Sequence, residues 1–277
     1  MNPKLAPGLY IVATPIGNLG DLSPRAAGVL RDADVLCVED SRVTGKLLRH
    51  IGARRSMMPY HDHNADSARP GLIARMGRES VALASDAGTP LISDPGYKLV
   101  RDARDAGHNV VTVPGPCAAI AGLTLAGLPT DRFLFAGFLP PKAKARADAI
   151  AALAHVPATL VFYESGPRLA AALAALANEL GDRDAAVARE LTKAYEECVT
   201  GTLTELATRY ADAPPKGEIV VVVAPPAARE VAIDADAALS EALTRLSVGQ
   251  AASEVAKMTG ADRRTLYARA LELKART

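Results

Sequence analysis

The stretch "SDAGTPLISDPG", residues 85–96, packs two Asp, two Gly and two Pro behind the apolar run "VALAS". Asp86 comes first. Gly88 lets another backbone approach closely, and Thr89-Pro90 stiffens the turn. Asp94-Pro95-Gly96 leads into a helix-like segment. In an open parallel sheet, ligands sit at the carboxyl ends of strands. Connections there commonly take about 2–6 residues, so the length of this one points to a ligand. The alternative is a tight turn with a capping Asp. Two more strand ends carry the same punctuation, "ATPIGNLGD" and "VPGPCAA". Neither is GxGxxG, and Gly45-Lys46 is followed by Leu47, so a P-loop is also excluded. Three such loops on one sheet imply a shared crevice for a small organic ligand with a polar tail.

Other groups could add to that crevice. "HDH" places His61 and His63 two apart, on one face if the segment is a strand. No third ligand follows at a recognisable spacing, so a polar lining is favoured over a metal. "YES" and "REL" end apolar strands with acids; Glu164, Arg168, Arg189 and Glu190 would then be a structural ion-pair network or part of a site. "KGE" before "IVVVV" reads as a turn or a third contribution.

The elements that must position these loops alternate. "LYIVATP", "DVLCVED", "SVALASD" and "NVVTVPGP" read as strands. Between them lie a helix capped by Ser23 with Pro24 at its first position, a short helix closed by Gly52, and one stopped by Gly107. Alternation of this kind predicts a mainly parallel sheet covered by helices. A break comes at "LPTD". Beyond it, "RFLFAGF", "ATLVFYES", "AAVARELT" and "EIVVVV" read as strands, with helices over 142–154 and up to Gly181. Fewer helices per strand predict a mixed α/β second domain. The division expected is 1–128, 129–225 and a linker plus helical tail over 226–277.

The chain has 277 residues, 49% of them apolar, no Trp and a formal charge of +1. It can bury a large core, and no global field draws it to nucleic acid or membrane. No run approaches the roughly 18–20 apolar residues of a membrane span, and "MNPKLAPGLY" lacks a signal core, so a cytoplasmic protein is expected. Cys37, Cys117 and Cys198 form no CxxC pair.

In the tail, Ala251, Ala252, Val255 and Met258 give one helix a buried face. Gly260 ends it, Asp262 caps the next, and Leu266, Leu271 and Leu273 complete the contact. Two short helices joined by a Gly-containing turn fit helix-turn-helix. From Arg245 onward there are seven Lys/Arg and three Asp/Glu, which suits contact with phosphates through Arg263 and Arg264. A solvated helical cap is the alternative.

"LYIVATPIGNLGDLSPRA", "EDSRVTGKLL", "YHDHN", "SDAGTPLISDPGY", "VPGPCAAI", "GFLP", "FYES", "ARELTK" and "KGE" occur in that order. Over residues 9–223 the chain closely resembles the bacterial 16S rRNA (cytidine-2′-O)-methyltransferases of the tetrapyrrole-methylase superfamily. The resemblance implies two α/β domains with S-adenosylmethionine held in the cleft between them, in a homodimer. It carries donor contacts onto Ile16, Asp86, Gly88, Thr89, Cys117, Ala118, Tyr163, Leu191 and Gly217. The superfamily frequently has Ser where Cys117 stands; a backbone contact accepts either. Asp94, Asp40 and Arg42 fall on the substrate side. The implied acceptor is a cytidine in the decoding region of 16S rRNA, on the small ribosomal subunit. A ribose hydroxyl is a poor acid, so a base or a cation should assist. Lys193, Glu190 and His61 are the candidates, His61 having the unperturbed pKa best suited to neutral pH. Two other readings stand beside this one. A small-molecule tetrapyrrole methyltransferase would need no basic tail, and a donor-sensing helix-turn-helix regulator would show no turnover.

Overall fold

The computed structural model describes residues 4–227 and 234–275. Two compact units are present, residues 1–226 and 227–277. The first unit holds two sheets. Its opening sheet has the strands β1 (Gly8–Val12), β2 (Val35–Val38), β3 (Met58–Pro59), β4 (Ser80–Ala84) and β5 (Val110–Val113), in the order β3-β2-β4-β1-β5. Every pairing is parallel. β1, β2 and β4 are buried along their whole length, as continuous apolar runs in a covered parallel sheet should be. Alternate residues face opposite layers. Tyr10 and Val12 join Leu30 and Leu36 on one side, while Leu9 and Ile11 join Leu72 and Leu99 on the other.

The connecting helices are α1 (Pro24–Asp32), α2 (Ser41–His50), α3 (Ala65–Met76), α4 (Tyr97–Asp105) and, after β5, α5 (Ala118–Leu125). The expected caps are present. The Ser23 hydroxyl accepts from the Ala26 amide at 3.1 Å. Gly52 takes φ +67° and Gly107 φ +76° where α2 and α4 stop. Neither α3 nor β3 is predicted by the sequence pattern. Pro70 lies inside α3, only Leu72 and Met76 of that helix are buried, and no apolar stripe marks it.

The second sheet contains β6 (Phe133–Phe138), β7 (Thr159–Ser165), β8 (Asp184–Arg189), β9 (Glu197–Thr202) and β10 (Glu218–Val223), in the order β6-β7-β10-β8-β9. β6 and β7 are parallel, and the other pairs are antiparallel. The helices here are α6 (Ala143–Ala151), α7 (Gly166–Leu180) and α8 (Leu203–Arg209). β9 is a half-buried edge strand without an apolar run, which is why the sequence hid it. Ile219, Val221 and Val223 pack against Leu169 and Leu173. Val220 and Val222 face the other way, onto Ala119 and Leu123 of α5. A Cβ on Gly122 would lie 2.6 Å from Val220 Cγ1, so the bare glycine is what lets α5 settle on β10. α5 thereby ties the second sheet to the first.

The second unit is α9 (Ala235–Leu243), α10 (Val248–Thr259) and α11 (Arg263–Ala275) around Leu239, Ala251, Ala252, Val255, Leu266 and Ala270. Gly260 ends α10 at φ +69°, and Asp262 accepts from the Thr265 amide at 2.9 Å. Two expected core residues point outward. Met258 is 55% exposed because Thr259 takes the inward position after Val255. Leu271 is 48% exposed because the inward row of α11 runs 266, 270, 273. Much of the linker expected at 224–235 lies outside the described residues. Among those described, no helix is long and apolar enough to cross a membrane.

Candidate active site

The four loops at the carboxyl ends of β1, β2, β4 and β5 are tied into one rim. Thr14 and Gly88 exchange backbone hydrogen bonds at 2.9 and 3.1 Å, with Gly88 at φ +83°. The Thr14 hydroxyl donates to the Ser85 carbonyl at 3.1 Å, and that of Thr89 to the Pro116 carbonyl at 2.9 Å. The Asp40 amide donates to Asp86 Oδ1 at 2.9 Å. Asp86 is therefore a clasp between the β2 and β4 loops, not only a local cap.

The facing wall comes from the second sheet. The Ala119 amide donates to the Tyr163 hydroxyl at 3.1 Å, joining α5 to β7. Phe135 and Phe138 meet the Tyr163 ring edge-on, and burial pushes its hydroxyl pKa up. Lys193 Nζ donates to Glu190 Oε1 at 2.9 Å. The Lys193 stem crosses Gly17, where a Cβ would lie 2.7 Å from its Cγ. Among the described residues, the non-glycine positions with positive φ are Leu91, Ser93, Glu190 and Thr192. All belong to the two loops "TPLISD" and "RELT". Backbone strain of this kind collects where surrounding structure fixes a functional geometry.

Between the walls lies a cavity of about 280 Å³, lined by both sheets: Ile16, Glu39, Asp86–Thr89, Asp94 and Ala118 on one side, Phe138, Tyr163, Glu190, Leu191, Lys193 and residues 218–220 on the other. Five carboxylates, those of Glu39, Asp86, Asp94, Glu190 and Glu218, face one ammonium, that of Lys193. Burial, first of all, pushes Asp86 and Asp94 up, with the neighbouring carboxylates adding to it. Glu39 is raised for the same reasons. Such a cavity suits a ligand carrying positive charge.

Residues 8–207 match the family described as Tetrapyrrole (Corrin/Porphyrin) Methylases. The chain belongs to that family. Residues 229–274 of this methylase match a second description, RsmI C-terminal HTH domain. It is 54% identical over 274 residues to Ribosomal RNA small subunit methyltransferase I of Mesorhizobium japonicum, covering 98% of this chain and 93% of that one. To the Erythrobacter litoralis protein of the same name it is 58% identical, covering 98% and 96%. Crystal structures share the fold at low identity. Diphthine synthase matches with TM-score 0.62 at 19% identity, over 78% of this chain and 89% of that one. Thermus thermophilus uroporphyrin-III C-methyl transferase complexed with S-adenyl homocysteine matches with TM-score 0.53 at 20%, over 78% and 97%. The cofactor of the methylase is S-adenosylmethionine, whose sulfonium and ammonium charges fit the carboxylate-rich cavity.

The expected donor residues Ile16, Asp86, Gly88, Thr89, Ala118, Tyr163 and Leu191 all line this cavity, as do Asp94, Glu190 and Lys193. Cys117 and Gly217 stand just outside it. Cys117 is the residue before α5, and Gly217, at φ +93°, makes room for the Glu190 carboxylate. Asp40 and Arg42 pair with each other at 2.6 Å, and Arg42 holds Asp40 down at about 2. They are off the cavity lining. So is His61, which sits in a turn before α3 and not on a strand, with Nδ1 buried and unpaired. The His61 and His63 rings, with centroids 5.9 Å apart, join no metal-holding group among the described residues. Arg263 and Arg264 belong to the second unit. Glu164, Arg168, Arg189 and Glu190 form no single network: Glu164 pairs with Arg168, Arg189 with Glu197, which also meets Arg209, and Glu190 with Lys193. Sequence reasoning missed Glu39, the first of the two acids ending "VED", and Phe138 and Glu218, which lie within "GFLP" and "KGE".

Proposed function

We propose that this chain is an S-adenosylmethionine-dependent methyltransferase of 16S rRNA, acting on the 2′-hydroxyl of a cytidine in the decoding region of the small ribosomal subunit. The observation that carries this reading is the extent of the match. Relatives named Ribosomal RNA small subunit methyltransferase I align over both the methylase region and the helical tail. The tail adds a surface suited to phosphates. Arg245 and Arg269 are tied to Glu254 and Asp236, leaving Arg263 and Arg264 at the start of α11 for a phosphate backbone.

When bound, the donor supplies a methyl group on a positively charged sulfur. The chain's own residues do the rest. The rim at Ile16, Asp86–Thr89 and Ala118 and the wall at Tyr163 and Leu191 hold the donor. Positioning carries much of the acceleration, because the acceptor oxygen must approach to about 3–3.5 Å in line. Lys193, already donating to Glu190, acts as a cation that orients the ribose oxygen. The carboxylates lining the cavity offer a place for the hydroxyl proton, and their place in the lining favours them over His61, which lies off it. The active form is a homodimer, which would cover exposed apolar side chains such as Phe133.

The test is methyl incorporation. Purified protein with labelled donor should methylate small ribosomal subunits lacking the modification, at a cytidine ribose, and leave a porphyrinogen untouched. Turnover on the porphyrinogen alone would overturn the reading.

A further inference from the structure

A second, smaller cavity of about 190 Å³ opens on the other side of the 14–17 loop and shares Asp86 with the donor cavity. Pro15, Leu19, Val43 and Leu47 give it apolar walls. Two polar groups have no role in the site described so far. Thr44 is 2% exposed, lines this cavity, and its Oγ1 has no hydrogen-bond partner. Lys46 stands exposed at the same lining. A buried hydroxyl without a partner is uncommon in native structures and calls for an explanation.

We infer that this cavity receives the nucleoside to be methylated, with the Thr44 hydroxyl bonding an edge of its base and Lys46 meeting a flanking phosphate. The assignment rests on the acceptor being RNA. Apolar side chains suit the faces of a single base, and a lone hydroxyl suits one polar edge. A compact ammonium at the rim suits a phosphate. Because Asp86 and the 14–17 loop border both cavities, a ribose held here lies beside the donor. Thr44 is thus a positioning residue for the acceptor and has no contact with the donor cavity.

Two variants test this, Thr44→Val and Lys46→Ala. Valine keeps the shape of threonine and removes the unpartnered hydroxyl, so the melting temperature should not fall. On unmodified small subunits, Thr44→Val should lower kcat/KM about tenfold, mainly through KM, with donor affinity by calorimetry unchanged. Its preference for cytidine over uridine at the target should shrink, and Thr44→Ser should restore both. Lys46→Ala should weaken subunit binding about tenfold and flatten its salt dependence. Wild-type kinetics in both variants would overturn the inference. So would a Thr44→Val variant whose whole defect is lost stability. If the wild-type protein methylates no small subunit, the functional reading fails instead. Binding of cytidine 5′-monophosphate to donor-loaded protein then tests the cavity directly: binding that Thr44→Val weakens about tenfold supports it, and binding unaffected by Thr44→Val, or none in wild type, refutes it.

Discussion

A Cβ on Gly217 would lie 2.7 Å from Oε1 of Glu190, the oxygen that accepts from Lys193 at 2.9 Å. The turn before β10 and the strained loop after β8 are therefore fitted to each other through a missing side chain. Gly217→Ala adds that side chain at φ +93°, a conformation that costs an L-residue about 1–2 kcal/mol. We expect a modest loss of thermal stability and, more tellingly, a weaker donor affinity as Glu190 and Lys193 are pushed aside. Calorimetric titration with S-adenosylmethionine checks this, and unchanged affinity would show the turn to be passive.

Lys193 should matter for rate more than for binding. Its ammonium is held by Glu190 at the cavity wall, where it can orient an oxygen but is not free to wander. Lys193→Ala should slow single-turnover methylation of bound small subunits about 10²-fold, the scale of one lost charge-stabilising donor. Donor and subunit affinities should change little. A defect confined to subunit affinity would make Lys193 a phosphate contact.

Asp94 offers a pH signature. Burial, reinforced by Asp86, Glu218 and Asp62, raises its carboxyl above the ordinary aspartate value, against a hydrogen bond from Ser85 that lowers it. The folded state then holds the proton more tightly than the unfolded chain. Stability contributed by this group is present below the unfolded pKa and lost as pH rises through the folded one. Asp94→Asn should therefore raise the melting temperature at pH 7, and the gain should vanish near pH 4. Melts across that range decide it; a variant less stable at every pH would mean that the Ser85 bond outweighs the charge.

Charge reversal at Arg263 and Arg264 probes the tail. The double change to Glu should weaken binding to small subunits and lower the salt slope by about one for each phosphate no longer neutralised. Donor affinity should stay as it was, because the donor cavity is built entirely from the first unit. Equal subunit affinity before and after would remove the tail from RNA binding.

The parallel sheet was legible because β1, β2 and β4 are unbroken apolar runs followed by Gly, Pro and Asp. α3 was not, since Pro70 interrupts it and few of its side chains are buried. Donor-cavity residues were legible where a motif concentrates them, as in the loop after β4. Glu39 and Glu218 were harder: each gains its place from a tertiary fold that sets carboxylates from different strands around one space. Thr44 carried no signal at all, because an unpartnered hydroxyl exists only once neighbours have been placed around it.

Gly122 has a bearing on traffic through the enzyme. With α5 seated on β10 and its Ala119 amide bonded to Tyr163, the two sheets are clamped at their shared seam. Cleft width is then set by packing, and separating the halves would expose the apolar surface between them. The free edge of the cavity is therefore made by the loops that rim it, among them the stretches 89–94 and 190–193, and not by the seam between the sheets.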